Sequence, residues 1–157
     1  MKPVLVALVG CGRAAGLAAR SLRGLPGVAY AFASRDPSRA RDSSRRFGRA
    51  VYYESYEAAI ASAGVDAVLV ATPPVTHLEL ALRALSAGKH VLLEKPPVLR
   101  SSDFNALEAA AVRADRQVMV AENYFYKPLA RTLRRALAEG WVGEPQLVQL
   151  NALKGQR

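Results

Sequence analysis

Val4-Leu5-Val6-Ala7-Leu8-Val9-Gly10-Cys11-Gly12-Arg13-Ala14-Ala15-Gly16 decides how the rest of the chain is read. The first six residues form an unbroken apolar run, the pattern of a strand buried on both faces of a parallel sheet. Glycines follow at once, and behind them a helix-forming stretch continues to Leu22. Gly10 permits a tight turn, and Gly12 lets backbone approach a phosphate closely. The start of the helix offers unpaired N–H groups and the positive end of its dipole. Strand, glycine turn and helix in that order form a dinucleotide phosphate cradle. Ala15 stands at the third position of the glycine pattern, with Gly16 behind it to ease helix–strand packing. The competing reading is an ordinary strand-to-helix turn that contains glycines. The context on both sides favours the cradle, so Gly10, Cys11, Gly12, Arg13 and Ala14 are expected to hold a pyrophosphate.

A chain of 157 residues, 51% of them hydrophobic, can bury a full core and suits one typical domain. No apolar run approaches the roughly 20 residues of a membrane span. Met1-Lys2-Pro3 leads straight into the first strand and leaves no room for a secretory signal, so a cytoplasmic location is expected. Cys11 is the single cysteine, which excludes an internal disulfide framework and a cysteine-based metal site; no metal is expected. Lys and Arg outnumber Asp and Glu by 22 to 13, a net charge of +9. The basic residues are spread among acids and alanines, without an aromatic-interleaved stripe or a zinc-finger pattern. Nucleic acid is therefore not the expected partner.

Strand-like and helix-like segments alternate along the chain. Strands are expected at Val28 to Ala33, Val51 to Tyr53, Val65 to Ala71, His90 to Leu93 and Gln117 to Ala121. Asp36-Pro37 reads as cap and first residue of a helix reaching Phe47, and Ser55 caps another to about Ala63. Thr76 and Glu79 fit a capping box for a helix that places Leu78, Ala81, Leu82 and Leu85 on one face and ends at Gly88. A helix from Ser101 or Ser102 continues to about Ala114. The alternation predicts an α/β fold with a doubly wound, Rossmann-like parallel sheet over residues 1–122. Residues 123–157 are expected to be an aromatic connector, a helix from Leu129 to Glu139 and a strand from Gln146 to Leu153. These look like the start of a second α/β domain.

The second strand ends in Ser34-Arg35-Asp36. In a dinucleotide fold an acid at that strand end takes the ribose hydroxyls of NAD. Here a hydroxyl and a guanidinium stand instead, which suits the extra phosphate of NADP; NAD remains the alternative. Asp36 is read as the helix cap. Leu92-Leu93-Glu94-Lys95-Pro96-Pro97 closes the fifth strand, where ligands of open parallel sheets sit. Lys95 there could hold a substrate oxygen and share its proton, or be a solvated strand-end lysine.

Four stretches in order resemble the Gfo/Idh/MocA family of oxidoreductases (glucose–fructose oxidoreductase, inositol dehydrogenase, rhizopine catabolism). They are Gly10-Cys11-Gly12-Arg13; Val70-Ala71-Thr72-Pro73-Pro74 with His77; Ala87-Gly88-Lys89-His90-Val91-Leu92-Leu93-Glu94-Lys95-Pro96; and Ala121-Glu122-Asn123 with Tyr126-Lys127-Pro128. The run from Ala87 to Pro96 is specific, whereas the glycine loop is not. The resemblance implies hydride transfer between NAD or NADP and a carbinol carbon of a sugar- or polyol-like small molecule. It makes Lys95 the catalytic lysine, touching substrate and nicotinamide ribose. Ala71, Thr72, Pro73, Pro74, Glu94 and Asn123 would line the nicotinamide end. His77 joins them, although a histidine at a helix start is as often structural. Family members also resemble longer, two-domain proteins whose second domain binds substrate, forms the oligomer interface and supplies an Asp/His pair. The two histidines here, His77 and His90, do not provide that pair. The chain is thus expected to be a cofactor-binding half, as a homo-oligomer or with a complementing chain. The alternative is a nucleotide-binding module without turnover of its own.

Overall fold

The computed structural model describes residues 2–48 and 50–149. Six parallel strands, β1 (Val4–Val9), β2 (Val28–Ala33), β3 (Val51–Tyr53), β4 (Ala67–Val70), β5 (His90–Leu93) and β6 (Val118–Val120), lie in the order β3-β2-β1-β4-β5-β6. Between them run α1 (Arg13–Leu22), α2 (Pro37–Arg46), α3 (Tyr56–Ala61), α4 (His77–Ser86) and α5 (Ser102–Ala114). The register pairs Val9 with Ala33 and Val70, Ala33 with Tyr53, Val70 with Leu93, and Leu93 with Val120. All six carboxyl ends therefore fall in one row, and the loops that follow them leave from one edge. The chain moves outward from β1 in one direction and then restarts at β4 on its other side. That reversal is the crevice where open α/β sheets take ligands.

Alternation along the strands divides the core between two faces. Ala7 and Val9 join Val68, Val70, Leu80, Leu85, Leu93 and Leu107 beneath α3, α4 and α5. Leu8, Phe32 and Leu69 face the other way, against Ala15 and Ala19 of α1. Ala15 has no exposed surface, so its small size serves close packing of helix on sheet. Gly16 does not ease packing on a strand as expected. A methyl group there would come 3.2 Å from the ring of Phe47, the residue that caps α2 at its C-terminal end.

The structure departs from the sequence expectations at several element ends. β4 begins at Ala67 because Asp66 is bound on both sides: its N–H donates to the Leu5 carbonyl, and its carboxylate accepts the Leu5 N–H. α3 stops at Ala61, although Ser55 does accept the Ala58 N–H as its cap. The Thr76–Glu79 capping box does not form. The Thr76 hydroxyl donates to the Pro73 carbonyl instead, residues Pro74–Thr76 make a single 3-10 turn, and Glu79 pairs with Arg83. α4 buries His77, Leu80, Ala81, Ala84 and Leu85, with Leu78 and Leu82 only partly covered, because it packs against both β5 and α5. Among the described residues no helix is long and apolar enough to cross a membrane.

The chain divides into two compact units between Ala121 and Glu122. The second contains a 3-10 turn at Asn123–Tyr126 and α6 (Pro128–Ala138), which Gly140 ends with φ +72°. Within it Lys127 lies 3.5 Å over the Tyr124 ring and Arg134 3.9 Å over that of Phe125. The strand expected from Gln146 is absent over residues 146–149, and residues 150–153 lie outside the described residues. An alternating pattern supplies a face but no neighbour for the backbone N–H and C=O groups, and a lone strand has none.

Candidate functional site

Gly10 is where the first strand must turn at the sheet's reversal. Its φ of +107° is open to glycine alone, and a Cβ there would stand 2.6 Å from the carbonyl oxygen of Ala71 at the end of β4. Its N–H donates to the Ala33 carbonyl at 2.9 Å, tying the turn to β2 as well. Gly12 differs. It is the N-cap of α1 at φ −88°, and a Cβ there would meet nothing within 4 Å. No side chain caps α1, and its first turn carries no acid. Backbone N–H groups and the positive helix end thus point into open space beside Gly12, the arrangement that receives a phosphate. A cleft of about 510 Å³ opens there, with Arg13, Arg20, Arg46 and Ser43 on its walls together with one acid, Asp42. The residues present fit a dinucleotide pyrophosphate.

Cys11 sits half-buried in this turn with its Sγ 3.7 Å from the Ala33 carbonyl oxygen. Burial pushes its thiol up from the ordinary cysteine value, against opposing influences from Ser43, Arg39 and Ser34. The thiol is therefore a packing group rather than a nucleophile. Ser34 is 5% exposed, and its Oγ accepts the Asp36 N–H at 3.2 Å. The side chain is folded into the turn after β2, and its own hydrogen is not used in that bond. Arg35 is exposed at the same strand end. Asp36 caps α2 by accepting the Ser38 N–H at 2.9 Å and the Ser38 hydroxyl at 2.7 Å. The Ser38 hydroxyl, then its backbone N–H, hold this carboxyl below its usual range.

The loop after β4 is bound from within. Thr76 spends its hydrogen on the Pro73 carbonyl, so the Thr72 hydroxyl donates to Thr76 Oγ1 at 2.7 Å. Ala71 and Thr72 are half-buried and Pro73 is exposed. His77, expected among residues lining the nicotinamide, has no exposed surface at all. Its Nε2 lies 2.8 Å from the Thr72 carbonyl oxygen and its Nδ1 2.9 Å from that of Pro96. A ring enclosed in this way touches no ligand, and its place as a lining residue is corrected. The structural alternative for this helix-start histidine is the one the geometry favours; sequence spacing does not reveal that the loops after β4 and β5 converge on it.

After β5, Glu94 donates its N–H to the Val70 carbonyl, and its carboxylate accepts the Lys95 N–H at 3.2 Å. Lys95 is exposed at the carboxyl edge, beside the strand that follows the reversal, and the Lys95–Pro96 peptide is cis. Asn123 opens the 3-10 turn of the second unit. Among the described residues no group of three or more His, Cys, Asp or Glu is placed to hold a metal. A larger cavity of about 890 Å³ runs between α5 and strands β5 and β6, lined by apolar residues such as Leu93, Leu107 and Val120. It lies along the helix, whereas the convergent polar groups sit at the carboxyl edge.

Residues 4–122 match the model of an oxidoreductase family with an NAD-binding Rossmann fold. The chain is 38% identical over 151 residues to dTDP-3,4-didehydro-2,6-dideoxy-alpha-D-glucose 3-reductase of Actinomadura kijaniata, covering 90% of this chain and 43% of that one. It is 26% identical to myo-inositol 2-dehydrogenase of Thermotoga maritima over 94% of its own length and 44% of the relative's. A crystal structure of a 3-ketoreductase from Actinomadura kijaniata with NADP and TDP-benzene superposes with a TM-score of 0.84 at 34% identity, over 91% of this chain and 44% of the other. A NAD-binding oxidoreductase from Klebsiella pneumoniae gives a TM-score of 0.84 at 29% identity, over 91% and 40%. The chain spans less than half the length of these relatives.

Proposed function

The chain belongs to the Gfo/Idh/MocA oxidoreductase family, and from that premise we propose that it is the cofactor-binding half of an NADP-preferring dehydrogenase or reductase. The reaction is reversible hydride transfer at a carbinol carbon of a sugar- or polyol-like small molecule. One observation carries the reading. At the sheet's reversal an uncapped helix start adjoins a glycine whose side-chain direction is empty. Bound there, a nicotinamide dinucleotide supplies reversible hydride acceptance and donation.

The chain's own residues have separable tasks. Backbone N–H groups at Gly12, Arg13 and Ala14 bind the pyrophosphate, and Cys11 packs beneath them. Arg35, standing where an acid would select NAD, takes the 2′-phosphate with its planar fork. Ser34 shapes that strand end from inside. The loop at Ala71, Thr72, Pro73 and Pro74 walls the nicotinamide end together with Glu94. The Lys95 ammonium donates a hydrogen bond to the substrate oxygen, drawing electron density from it as the carbon–oxygen bond order changes. The Asp/His pair of the family, the substrate pocket and the oligomer surface belong to the greater length of the relatives. A complementing chain brings those parts to the cofactor-binding half, and the setting is the cytoplasm.

Titrating the 157-residue chain with NADPH and with NADH, read by nicotinamide fluorescence, tests the reading. NADPH is expected to bind at least about tenfold tighter, a difference of about 1.4 kcal/mol. Arg35→Ala should erase that preference. Equal binding of the two cofactors overturns the role of Arg35, and binding of neither overturns the site.

A further inference from the structure

We propose that His77 is a positioning residue for the dinucleotide site, a buried strut that fixes the loop after β4 and the loop after β5 as one surface. The inference rests on reading that edge as the NADP site. Each ring nitrogen faces a backbone carbonyl from a different loop, Thr72 on one side at 2.8 Å and Pro96 on the other at 2.9 Å. Carbonyl oxygens only accept, so a ring nitrogen bonds the carbonyl it faces only while it carries a hydrogen. A neutral ring donates to one carbonyl at a time and a doubly protonated ring to both. In either state the two ends of one rigid ring are set by two separate loops.

The surroundings make the ring hard to replace. His77 has no exposed surface, so water does not substitute for it at either carbonyl. It is also the first residue of α4, whose start is anchored by the 3-10 turn Pro74–Thr76 and by the Thr72–Thr76–Pro73 hydroxyl chain. A shift of either loop is therefore passed to the helix start and to the other loop. Thr72 and Pro73 precede the ring, while Glu94 and Lys95 precede Pro96. The strut thus sets the spacing between the wall of the cofactor pocket and the lysine assigned to the substrate oxygen. A small displacement there is costly, because catalytic and binding groups act within narrow geometric limits.

The test compares the chain with H77F, which keeps a ring and loses both donors, with H77N, which keeps one, and with L80A, a core truncation on the same helix. Amide hydrogen exchange in the cofactor-free proteins is followed at Thr72, Val75, Lys95 and Val98. H77F is expected to speed exchange at both loops together, with H77N intermediate and L80A leaving the two loops no more alike than in the parent. NADPH affinity is expected to fall about tenfold in H77F and to stay within about twofold in L80A, whatever the two do to the melting temperature. Exchange that rises in one loop alone, or affinity that falls equally in H77F and L80A, overturns the strut and leaves a core histidine. Should H77F not fold, H77N carries the same comparison. If the parent chain binds no NADPH, the cofactor reading fails, while the exchange data still decide whether His77 couples the loops.

Discussion

Alanine at Gly10 and alanine at Gly12, two residues apart, should fail in opposite ways. At Gly10 the backbone is held at φ +107°, where a side chain costs about 1–3 kcal/mol. The added methyl would also lie 2.6 Å from the Ala71 carbonyl oxygen and 2.9 Å from its carbon, both backbone atoms that β4 holds in place. Overpacking of that kind costs a further 1–3 kcal/mol or so, giving about 4 kcal/mol together. Domains of this type have only about 5–15 kcal/mol in hand. In urea, with a slope of about 2 kcal/mol per molar, the midpoint should drop by about 2 M without a change in slope. At Gly12 the backbone, φ −88° and ψ −169°, is open to alanine, and the methyl would meet nothing within 4 Å. Loss of an N-cap glycine costs less than about 1 kcal/mol, so its midpoint should move by no more than about 0.5 M. The methyl nevertheless enters the space assigned to the pyrophosphate, and NADPH affinity should fall at least about tenfold. Paired urea titrations and fluorescence binding decide the matter. If G10A unfolds within 0.5 M or so of the parent, the steric argument is wrong. If G12A binds NADPH normally, the open space is not the phosphate site.

Lys89, only 8% exposed, donates from Nζ to the carbonyls of Ser62 and Val65 at 2.8 Å each. Lys89→Met keeps the stem and orphans both acceptors, so urea denaturation should reveal a loss of about 1–3 kcal/mol; no loss would mean that water replaces the amine. Asp36 is held below its ordinary value first by the Ser38 hydroxyl, and Glu57 first by its own backbone N–H, then by Arg83. Both titrate lower folded than unfolded. Their stabilisation is present above the unfolded carboxylate range and is lost as pH falls through the lowered folded values. Melting temperature should therefore decline on acidification, and Asp36→Ala should flatten that decline; an unchanged slope would remove Asp36 from the account. Cys11, its thiol raised by burial, should react slowly with iodoacetamide at neutral pH and readily once the chain is unfolded. Rapid alkylation of the folded chain would contradict the packing role.

The order of elements was legible in the residues because each strand is a short apolar run closed by its own punctuation. Gly10, Asp36-Pro37, Ser55 and Gly88 act through local backbone chemistry, which needs no knowledge of the rest of the fold. The glycine turn before α1 and the placement of Lys95 at a strand's carboxyl end belong to the same class, since a strand followed by a particular turn reads the same wherever it sits. Thr76 was misread for the converse reason. As a helix cap it is locally plausible, but Thr72 and Pro73 compete for its hydroxyl and win. Over residues 146–149 the expected second-unit strand is likewise not formed, because pairing depends on a neighbour that alternation cannot supply.

The sequence by itself determined a βα chain with a glycine turn after its first strand, a guanidinium after its second and a lysine after its fifth. Only the tertiary structure decided that Gly10 is locked by the Ala71 carbonyl while Gly12 stays open, that Ser34 faces inward, and that His77 joins two loops from beneath. The physical reason is range. Propensity, capping and periodicity act within a few residues, whereas these three assignments rest on contacts between strand ends brought side by side by the parallel register.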